Sequence, residues 1–385
     1  MQRFLAFCAF VLLAAPAPAA EILGREGKGF LERIDGLLVL HVSGTPYEMG
    51  FQHGKLLGEQ VRALVATMVH QEGGRELALP GTGIRTTVKD LIRTLFQAQR
   101  PYYRPRFLEE LRGLADGAGL PEEDICTANH IPELFHCSGF ALMGAATADG
   151  EVLHGRVLDY GTDQKLQDHA LVIVAAPEGR HAFANVSFAG FIGSVTGLNV
   201  KGIAVGEMGG GGQLIWAGEP MSFLVRRVLE EAGDLDAALE IFRRGPRTCE
   251  YYYVVSDGGA RRAAGLATTW QDFAVIDPGE CHPRLPEAVK DCVLMSAGKR
   301  YTELAARVKA GFGAFDAEKA IRLMDAPVAM KSNLHNALMK PKTGDFWAAY
   351  AAPGGHAAWN QKYVHLNLKT LLAQTAPEAA ENARL

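Results

Sequence analysis

The chain has 385 residues, 48% of them hydrophobic, which is enough to bury a substantial core in one large domain or two ordinary ones. Its formal net charge of −4 argues against the basic surface that nucleic-acid binding requires, so no nucleic-acid partner is expected. No internal repeat is evident, and the one biased segment is an Ala/Glu-rich tail after Thr375.

The first twenty residues have the pattern of a signal peptide. Arg3 supplies the positive charge, residues 4–15 form an apolar run, and Ala17-Pro18-Ala19 is a small-residue cleavage site. A membrane anchor is the alternative, but the run is too short to span a bilayer. We therefore expect an exported protein, periplasmic or secreted, with no integral membrane segment in the mature chain.

Cysteine usage in the expected mature chain points to one reactive thiol. Cys8 lies within the signal peptide, and an odd number remains, which suggests a thiol left over from any pairing. The remaining cysteines are Cys126, Cys137, Cys249, Cys281 and Cys292. Two interpretations of the last two stay open: a disulfide, or a zinc site with His282, although close Cys/His pairs at zinc-site spacing are missing.

Hydrophobic periodicity predicts a helical first part followed by strands. Residues 21–45 are predicted as a leader strand, and residues 46–136 as mainly helical, with periodic runs over 48–68, 86–97 and 107–118. Strands are then predicted over 140–146, 151–159, 170–176, 181–187, 194–198, 202–207, 251–256, 262–268 and 273–276. Helices are predicted over 220–232, 235–243, 299–309 and 317–323, and a last hairpin over 334–339 and 346–351. Periodicity alone indicates an α+β fold.

The most informative segment surrounds Cys137. An Asp149-Gly150 turn separates the strand that Cys137 begins from a strand carrying Arg156 and Asp159. A hairpin returns both residues towards Cys137, where a cation lowers a thiol pKa and a carboxylate orients its neighbours. Residues three apart on a strand point to opposite faces, so Arg156 and Asp159 cannot share one role.

These residues resemble a known group of enzymes. Cys137-Ser138-Gly139 with Gly155-Arg156-x-Leu158-Asp159 is similar to the nucleophile hairpin of choloylglycine hydrolases and penicillin V acylases. The long upstream segment, with residues 47–58 and 197–205, resembles the autoproteolytic acyl-CoA:6-aminopenicillanic acid (isopenicillin N) acyltransferase-like family of N-terminal-nucleophile hydrolases.

The resemblance implies a four-layer αββα sandwich, in which Cys137, Arg156 and Asp159 are catalytic. It also implies cleavage between His136 and Cys137, which divides the chain into a mainly helical propeptide, residues 21–136, and a catalytic fragment, residues 137–385, that stay associated. His136 either assists this cleavage or is a bystander.

Cleavage would place a free α-amine beside the thiol of Cys137. An α-amine has a reference pKa of about 8, so it can act as a general base near neutral pH without a catalytic histidine, and no cofactor or metal is required. The alternatives are a buried structural cysteine at Cys137 and a surface ion pair between Arg156 and Asp159.

The residues that would stabilise an oxyanion depart from the family pattern. An Asn position of the family falls near Gly209, where backbone N–H groups of Gly209 and Gly210 are candidates, unless the run is a flexible loop. A second Asn position falls in residues 247–253, where Thr248 or the Tyr252 hydroxyl could replace it, unless the aromatic cluster is core. Asn336, with Asn333 and His335, either closes the site or forms a turn cluster.

The sequence therefore predicts an exported, self-processing cysteine hydrolase or acyltransferase. Its substrate would be a small molecule with a linear amide, N-acyl or thioester bond, or a lipid-like molecule. Export argues against cytosolic acyl-CoA, so hydrolysis is favoured over transfer. The alternatives are a phospholipase B-like lipid hydrolase and a non-catalytic exported binding protein on the same scaffold. The chain has no Gly-x-Ser-x-Gly elbow, which argues against a serine hydrolase.

Overall fold

A computed structural model describes residues 20–78, 85–130, 136–209 and 212–374. Its strands are β1 (Glu21–Glu26), β2 (Gly29–Ile34), β3 (Leu37–Gly44), β4 (Glu76–Ala78), β5 (Arg85–Thr87), β6 (His136–Leu142), β7 (Leu153–Asp159), β8 (Ala170–Pro177), β9 (Phe183–Phe188), β10 (Thr196–Asn199), β11 (Ile203–Gly209), β12 (Glu250–Asp257), β13 (Arg262–Thr269), β14 (Phe273–Ile276), β15 (Cys292–Met295), β16 (Asn333–Lys340), β17 (Asp345–Tyr350) and β18 (Val364–Asn367).

The helices lie between these strands. They are α1 (Pro46–Leu56), α2 (Gly58–Val65), α3 (Val88–Gln99), α4 (Pro105–Ala118), α5 (Glu122–Ala128), α6 (Met221–Glu231), α7 (Leu235–Arg244), α8 (Gly298–Ala310), α9 (Ala317–Arg322) and α10 (Leu368–Ala373), with a π-helical turn over Ala66–Glu72. Across the described residues, every helix falls short of the length and apolarity needed to cross a membrane.

Two stacked sheets form the centre of the molecule. The larger sheet has the order β1-β2-β3-β8-β9-β10-β11-β12-β13-β14, and the smaller has the order β15-β6-β7-β16-β17-β18. Strands β11 and β12 contact β6, while α1, α6 and α7 contact the larger sheet and α8 and α9 the smaller. The predicted α+β four-layer αββα sandwich is confirmed by this arrangement, with the main apolar core between and above the sheets.

The leader segment differs from its prediction, because it forms three strands instead of one. Gly27 has a φ of 54°, and Asp35 and Gly36 have φ values of 52° and 90°, so the chain reverses twice within residues 21–45. Asp-Gly between apolar runs is a strong hairpin signal that the prediction did not use. Strand β3 then pairs parallel with β8, which joins the first part of the chain to the sheet of the second.

A capping box sets the start of the first helix. Thr45 caps α1, accepting from the backbone N–H of Glu48, whose carboxylate in turn accepts from the Thr45 N–H. Besides the leader strands, four strands and one helix lay outside the prediction: β4, β5, β15, β18 and α10. Strand β15 matters for the site because it pairs antiparallel with β6, with Met295 opposite Gly139.

Candidate active site

Cys137 lies at the second position of β6, which is next to the edge strand β15 in the smaller sheet. Its cross-strand partner on β7 is Leu158, and Leu158 is also opposite His335 on β16. The hairpin brings Arg156 back to the sulfur, and Arg156 Nη2 donates to Cys137 Sγ at 3.0 Å. Cys137 is 7% exposed and Arg156 is fully buried, so this contact is shielded from water.

Arg156 is held by acceptors from three elements. Its Nε donates to the Glu207 carbonyl oxygen at 3.1 Å, and its Nη2 lies 3.4 Å from the Glu207 carboxylate. Its Nη1 donates to His335 Nε2 at 3.4 Å. Gly206 makes room for the side chain, because an added Cβ there would lie 2.8 Å from Arg156 Cγ. The guanidinium is thus fixed in direction, with a buried carboxylate to balance its charge.

The Cys137 thiol is neutral in this environment. Burial raises its pKa to about 12, because desolvation outweighs the opposing effect of the Arg156 guanidinium. The buried carboxylates of Glu207 and Asp159 raise the pKa further, and a hydrogen bond from the Gly209 backbone N–H lowers it. The sulfur therefore needs a proton acceptor before it can act as a nucleophile near neutral pH.

Asp159 belongs to a second group, on the other face of the smaller sheet. One carboxylate oxygen accepts the Met330 N–H at 2.9 Å, and the other pairs with the Arg300 guanidinium. Arg300 also donates to Ser138 Oγ at 2.5 Å. Burial raises the pKa of Asp159, and Arg300 opposes this rise. The opposite orientation of Arg156 and Asp159 agrees with the three-residue spacing, and Asp159 is the cross-strand partner of His136.

A pocket of about 200 Å³, open to solvent, has Cys137 in its lining. Its apolar side is formed by Met208, Leu285 and Met295, and Gly209 and residues 296–298 also line it. Tyr252 lines the mouth, donating to Glu250 Oε1 at 2.5 Å, and Arg284 pairs with the same carboxylate. Burial raises the pKa of Tyr252 to about 12, so its hydroxyl is a hydrogen-bond donor at neutral pH.

The oxyanion candidates are placed differently from one another. Gly209 and Tyr252 line the pocket, whereas Gly210 lies outside the described residues. Two expectations need correction, because Thr248 and Asn336 are buried elsewhere. Asn336 donates to the Tyr363 hydroxyl at 2.8 Å, since its neighbour His335 faces Arg156 and alternate strand residues point to opposite faces.

Thr248 precedes β12 and does not line this pocket. It therefore offers no hydroxyl to an oxyanion at the Cys137 sulfur.

Asn333 has a structural role. Its side-chain amide donates to the Leu158 carbonyl at 2.9 Å, which links β16 to β7 beside Asp159. For His136 the structure describes the strand position but not the side chain.

Sequence reasoning missed Arg300, Ser296 and Glu207. Ser296 Oγ lies 2.7 Å from Ser138 Oγ and links the pocket to the Arg300 group. Ser296 directly follows β15 and Arg300 lies on α8, so both come long after Cys137 in the sequence. Neither carries a local motif that separates it from ordinary polar residues. Glu207 did carry a signal, because a carboxylate inside an apolar strand is costly to bury without a partner.

Cys281 and Cys292 form no disulfide. Among the residues in the described ranges, no group of three or more His, Cys, Asp or Glu side chains is arranged to hold a metal ion.

Part of the chain matches the model of a known protein family. Residues 146–269 match the family model "Acyl-coenzyme A:6-aminopenicillanic acid acyl-transferase". The resemblance inferred from the sequence is therefore confirmed, over a segment that contains Arg156, Asp159, Glu207 and Gly209 but begins after Cys137.

The chain is also similar to individual proteins. It is 25% identical to an uncharacterized protein of Archaeoglobus fulgidus over 388 residues, which cover 83% of this chain and 63% of that one. It is 26% identical to the N-acylethanolamine-hydrolyzing acid amidase of Cavia porcellus over 191 residues, or 47% of this chain and 52% of the relative. These matches thus span between half and two thirds of the curated relatives.

One solved structure also aligns with part of this chain. The N-acylethanolamine-hydrolyzing acid amidase ortholog of Caenorhabditis elegans superposes with a TM-score of 0.45 at 18% identity, covering 60% of this chain and 100% of that one.

Proposed function

From the match of residues 146–269 to the acyl-transferase family, we propose that this chain is a self-processing cysteine amidohydrolase that acts on the amide bond of an N-acyl substrate. The observation that carries the proposal is the buried Arg156 guanidinium, 3.0 Å from a cysteine sulfur that lines an open pocket. This contact favours an enzyme over a non-catalytic binding protein, because a structural cysteine needs no buried cation.

The hydrogen bonds to the Cys137 sulfur support the N-terminal-nucleophile mechanism. Arg156 and the Gly209 N–H both donate hydrogen bonds to the Cys137 sulfur, so neither can accept the thiol proton. Cleavage before Cys137 would create an α-amine on the same residue, with a reference pKa of about 8. We assign the orientation of that amine to Asp159, because Asp159 is the cross-strand partner of His136.

The reaction then proceeds in two stages. The amine takes the thiol proton, the sulfur attacks the substrate carbonyl carbon, and the amine returns the proton to the leaving nitrogen as the C–N bond breaks. The Gly209 N–H stabilises the negative charge on the sulfur before the attack. Once the bond from sulfur to carbon has formed, it can donate to the oxygen of the attacked carbonyl. Water, activated by the amine, then hydrolyses the thioester and releases the acid.

The Cys137 thiol can itself cleave the peptide bond that precedes it. In the precursor, Cys137 Sγ attacks the carbonyl carbon of His136, so that the acyl group moves from nitrogen to sulfur and the amine is freed. Water then cleaves the thioester and leaves Cys137 as a new N-terminus. No oxidant or cofactor is needed at any step.

The test is denaturing mass analysis of wild-type protein and of the Cys137→Ala variant. We expect two wild-type fragments divided between His136 and Cys137, and an uncut, inactive Cys137→Ala chain. Cys126→Ala is the matched control, because burial also raises the Cys126 pKa to about 12 but Cys126 does not line the pocket; it should be cut normally. An intact wild-type chain that hydrolyses N-acyl substrates would contradict the proposal.

Two further parts of the proposal concern the whole chain. Residues 1–20 direct export, so the N-terminus of secreted or periplasmic protein should be Ala20 or Glu21; material that starts at Met1 would refute this. The two fragments stay together, because strand β3 of the first pairs with β8 of the second.

A further inference from the structure

Three exposed apolar side chains lie on two loops that are hydrogen-bonded to Cys249, at the start of the strand that carries the pocket residue Tyr252. Leu214 is 76% exposed, Ile215 is 38% exposed and Trp270 is 41% exposed. We call these three residues the apolar rim. None of them lines the pocket, so they are not explained by the chemistry at the sulfur.

Backbone hydrogen bonds attach the apolar rim to the pocket mouth. The Cys249 N–H donates to the Ile215 carbonyl at 2.7 Å, and the Trp270 N–H donates to the Cys249 carbonyl at 3.0 Å. The next residue, Glu250, accepts from the pocket residue Tyr252. The rim residues come from two separate loops, and both loops are hydrogen-bonded to Cys249, which precedes Glu250 in the chain.

The protein holds Leu214 outwards in an unfavourable backbone conformation. Gln213 and Leu214 have φ values of 60° and 46°, in the left-handed region that a bulky residue rarely adopts. The Leu214 N–H donates to the Gly212 carbonyl at 2.8 Å, and Trp216 packs against the main core. The chain is thus anchored on both sides of the exposed Leu214, which indicates that the exposed side chain has a function.

The apolar rim is suited to a lipid surface rather than to a protein partner. Three side chains fall well short of the roughly 800 Å² per partner that a stable protein interface buries. Binding at the boundary between headgroups and acyl chains increases with the apolar area inserted, so exposed leucine, isoleucine and tryptophan side chains contribute to it without a complementary partner surface. The pocket beyond the rim has Met208, Leu285 and Met295 along its apolar side, so an acyl chain can pass from one apolar surface to the other.

We propose that the apolar rim docks the enzyme on a lipid bilayer and that its substrate is an N-acyl lipid taken from that bilayer. This proposal rests on the proposed function for the identity of the bond that is broken, but the docking itself does not. In the docked state the pocket mouth faces the bilayer, and the chain of the substrate enters the pocket without crossing water.

The docking test is flotation of the full chain with phosphatidylcholine vesicles. Wild type is compared with the double variant Leu214→Asn/Trp270→Gln, in which Asn tolerates the left-handed backbone at position 214. Phe312→Ser is the matched control: Phe312 is 38% exposed, but the next residue bonds Ala146, beyond the far end of the β6 strand. We expect the double variant to bind vesicles at least tenfold more weakly, and the control to bind like wild type.

Two rates distinguish docking from folding and from catalysis. The double variant should hydrolyse a water-soluble short-chain amide as fast as wild type, and a long-chain amide embedded in vesicles at least tenfold more slowly. Equal flotation of wild type and the double variant, or no wild-type flotation, would overturn the docking. If flotation depends on the rim but neither amide is cleaved, the docking stands and the proposed function fails.

Discussion

At the scale of single residues, the site depends on an arginine placed where water cannot reach it. Arg156 has no side-chain exposure, and its contacts to Cys137, Glu207 and His335 come from three strands. Its position is possible because Gly206 on the facing sheet has no Cβ. The absence of one carbon atom on β11 therefore decides where a positive charge lies on β7.

We predict that Gly206→Ala displaces this charge. The added Cβ would lie 2.8 Å from Arg156 Cγ and 3.2 Å from His154 Nε2, and both groups are enclosed. Because misplacement of a catalytic group by about 1 Å can cost on the order of a hundredfold, we expect a loss of that order in the rate of Cys137 acylation. Single-turnover kinetics with an N-acyl substrate measures it.

Gly233→Ala is the control for this variant, because the nearest atom to its added Cβ is 4.0 Å away. It should acylate at the wild-type rate. If Gly206→Ala also acylates at that rate, the position of Arg156 does not limit the reaction.

At the scale of elements, helices from the two predicted fragments meet through buried charges. Arg226 on α6 donates to both oxygens of Glu110 on α4, at 2.8 and 2.6 Å, and to Glu230 at 2.9 Å. Arg226 also lies over the Phe107 ring, 5.3 Å from its centroid. Removing one charged partner from this buried cluster lowers the stability strongly, because the remaining charge cannot be solvated.

We predict that Glu110→Gln lowers the free energy of unfolding by about 3 kcal/mol, the cost typical of removing one partner from a buried ion pair. Urea unfolding followed by fluorescence gives the value. Glu109→Gln, the exposed neighbour on the same helix, should change it by no more than about 0.5 kcal/mol. Equal midpoints for the two variants would show that the cluster does not stabilise the contact of α4 with α6.

At the scale of the whole molecule, several histidines are buried uncharged. Burial lowers the pKa of His53 to about 3, that of His130 to about 4 and that of His154 to about 3. In the unfolded chain each has a pKa near 6.5, so the unfolded state binds more protons once the pH falls below that value. The stability of the fold is therefore present above about pH 6.5 and is lost as the pH falls towards 4.

We predict that each of these histidines contributes about 1.4 kcal/mol per pH unit to that loss. In His53→Gln the slope should decrease by this amount between pH 6 and pH 4, since glutamine can still accept the Gly190 N–H that His53 Nε2 accepts at 2.9 Å. Urea unfolding across this pH range measures the slope. The exposed His356→Gln is the control, and an unchanged slope in His53→Gln would contradict the assignment.

The sequence by itself determined the features that depend on neighbours along the chain. Alternating apolar residues predicted most strands of both sheets, and the Asp149-Gly150 turn predicted the hairpin that brings Arg156 to Cys137, because period and turn chemistry are local properties. Three-residue spacing likewise placed Arg156 and Asp159 on opposite faces. The Asp35-Gly36 turn was equally local, and a fuller use of turn chemistry would have found β1 to β3.

Only the tertiary structure decided which distant residues complete the site. Arg300 and Ser296 reach Asp159 and Ser138 because β15 pairs with β6, and nothing near them in the sequence specifies that pairing. Asn336 is turned away from the pocket, although its neighbour His335 contacts Arg156, because a strand's register sets which face each residue takes. The thiol pKa of Cys137 also follows from burial, since the same cysteine in an open hairpin would keep its contact with water.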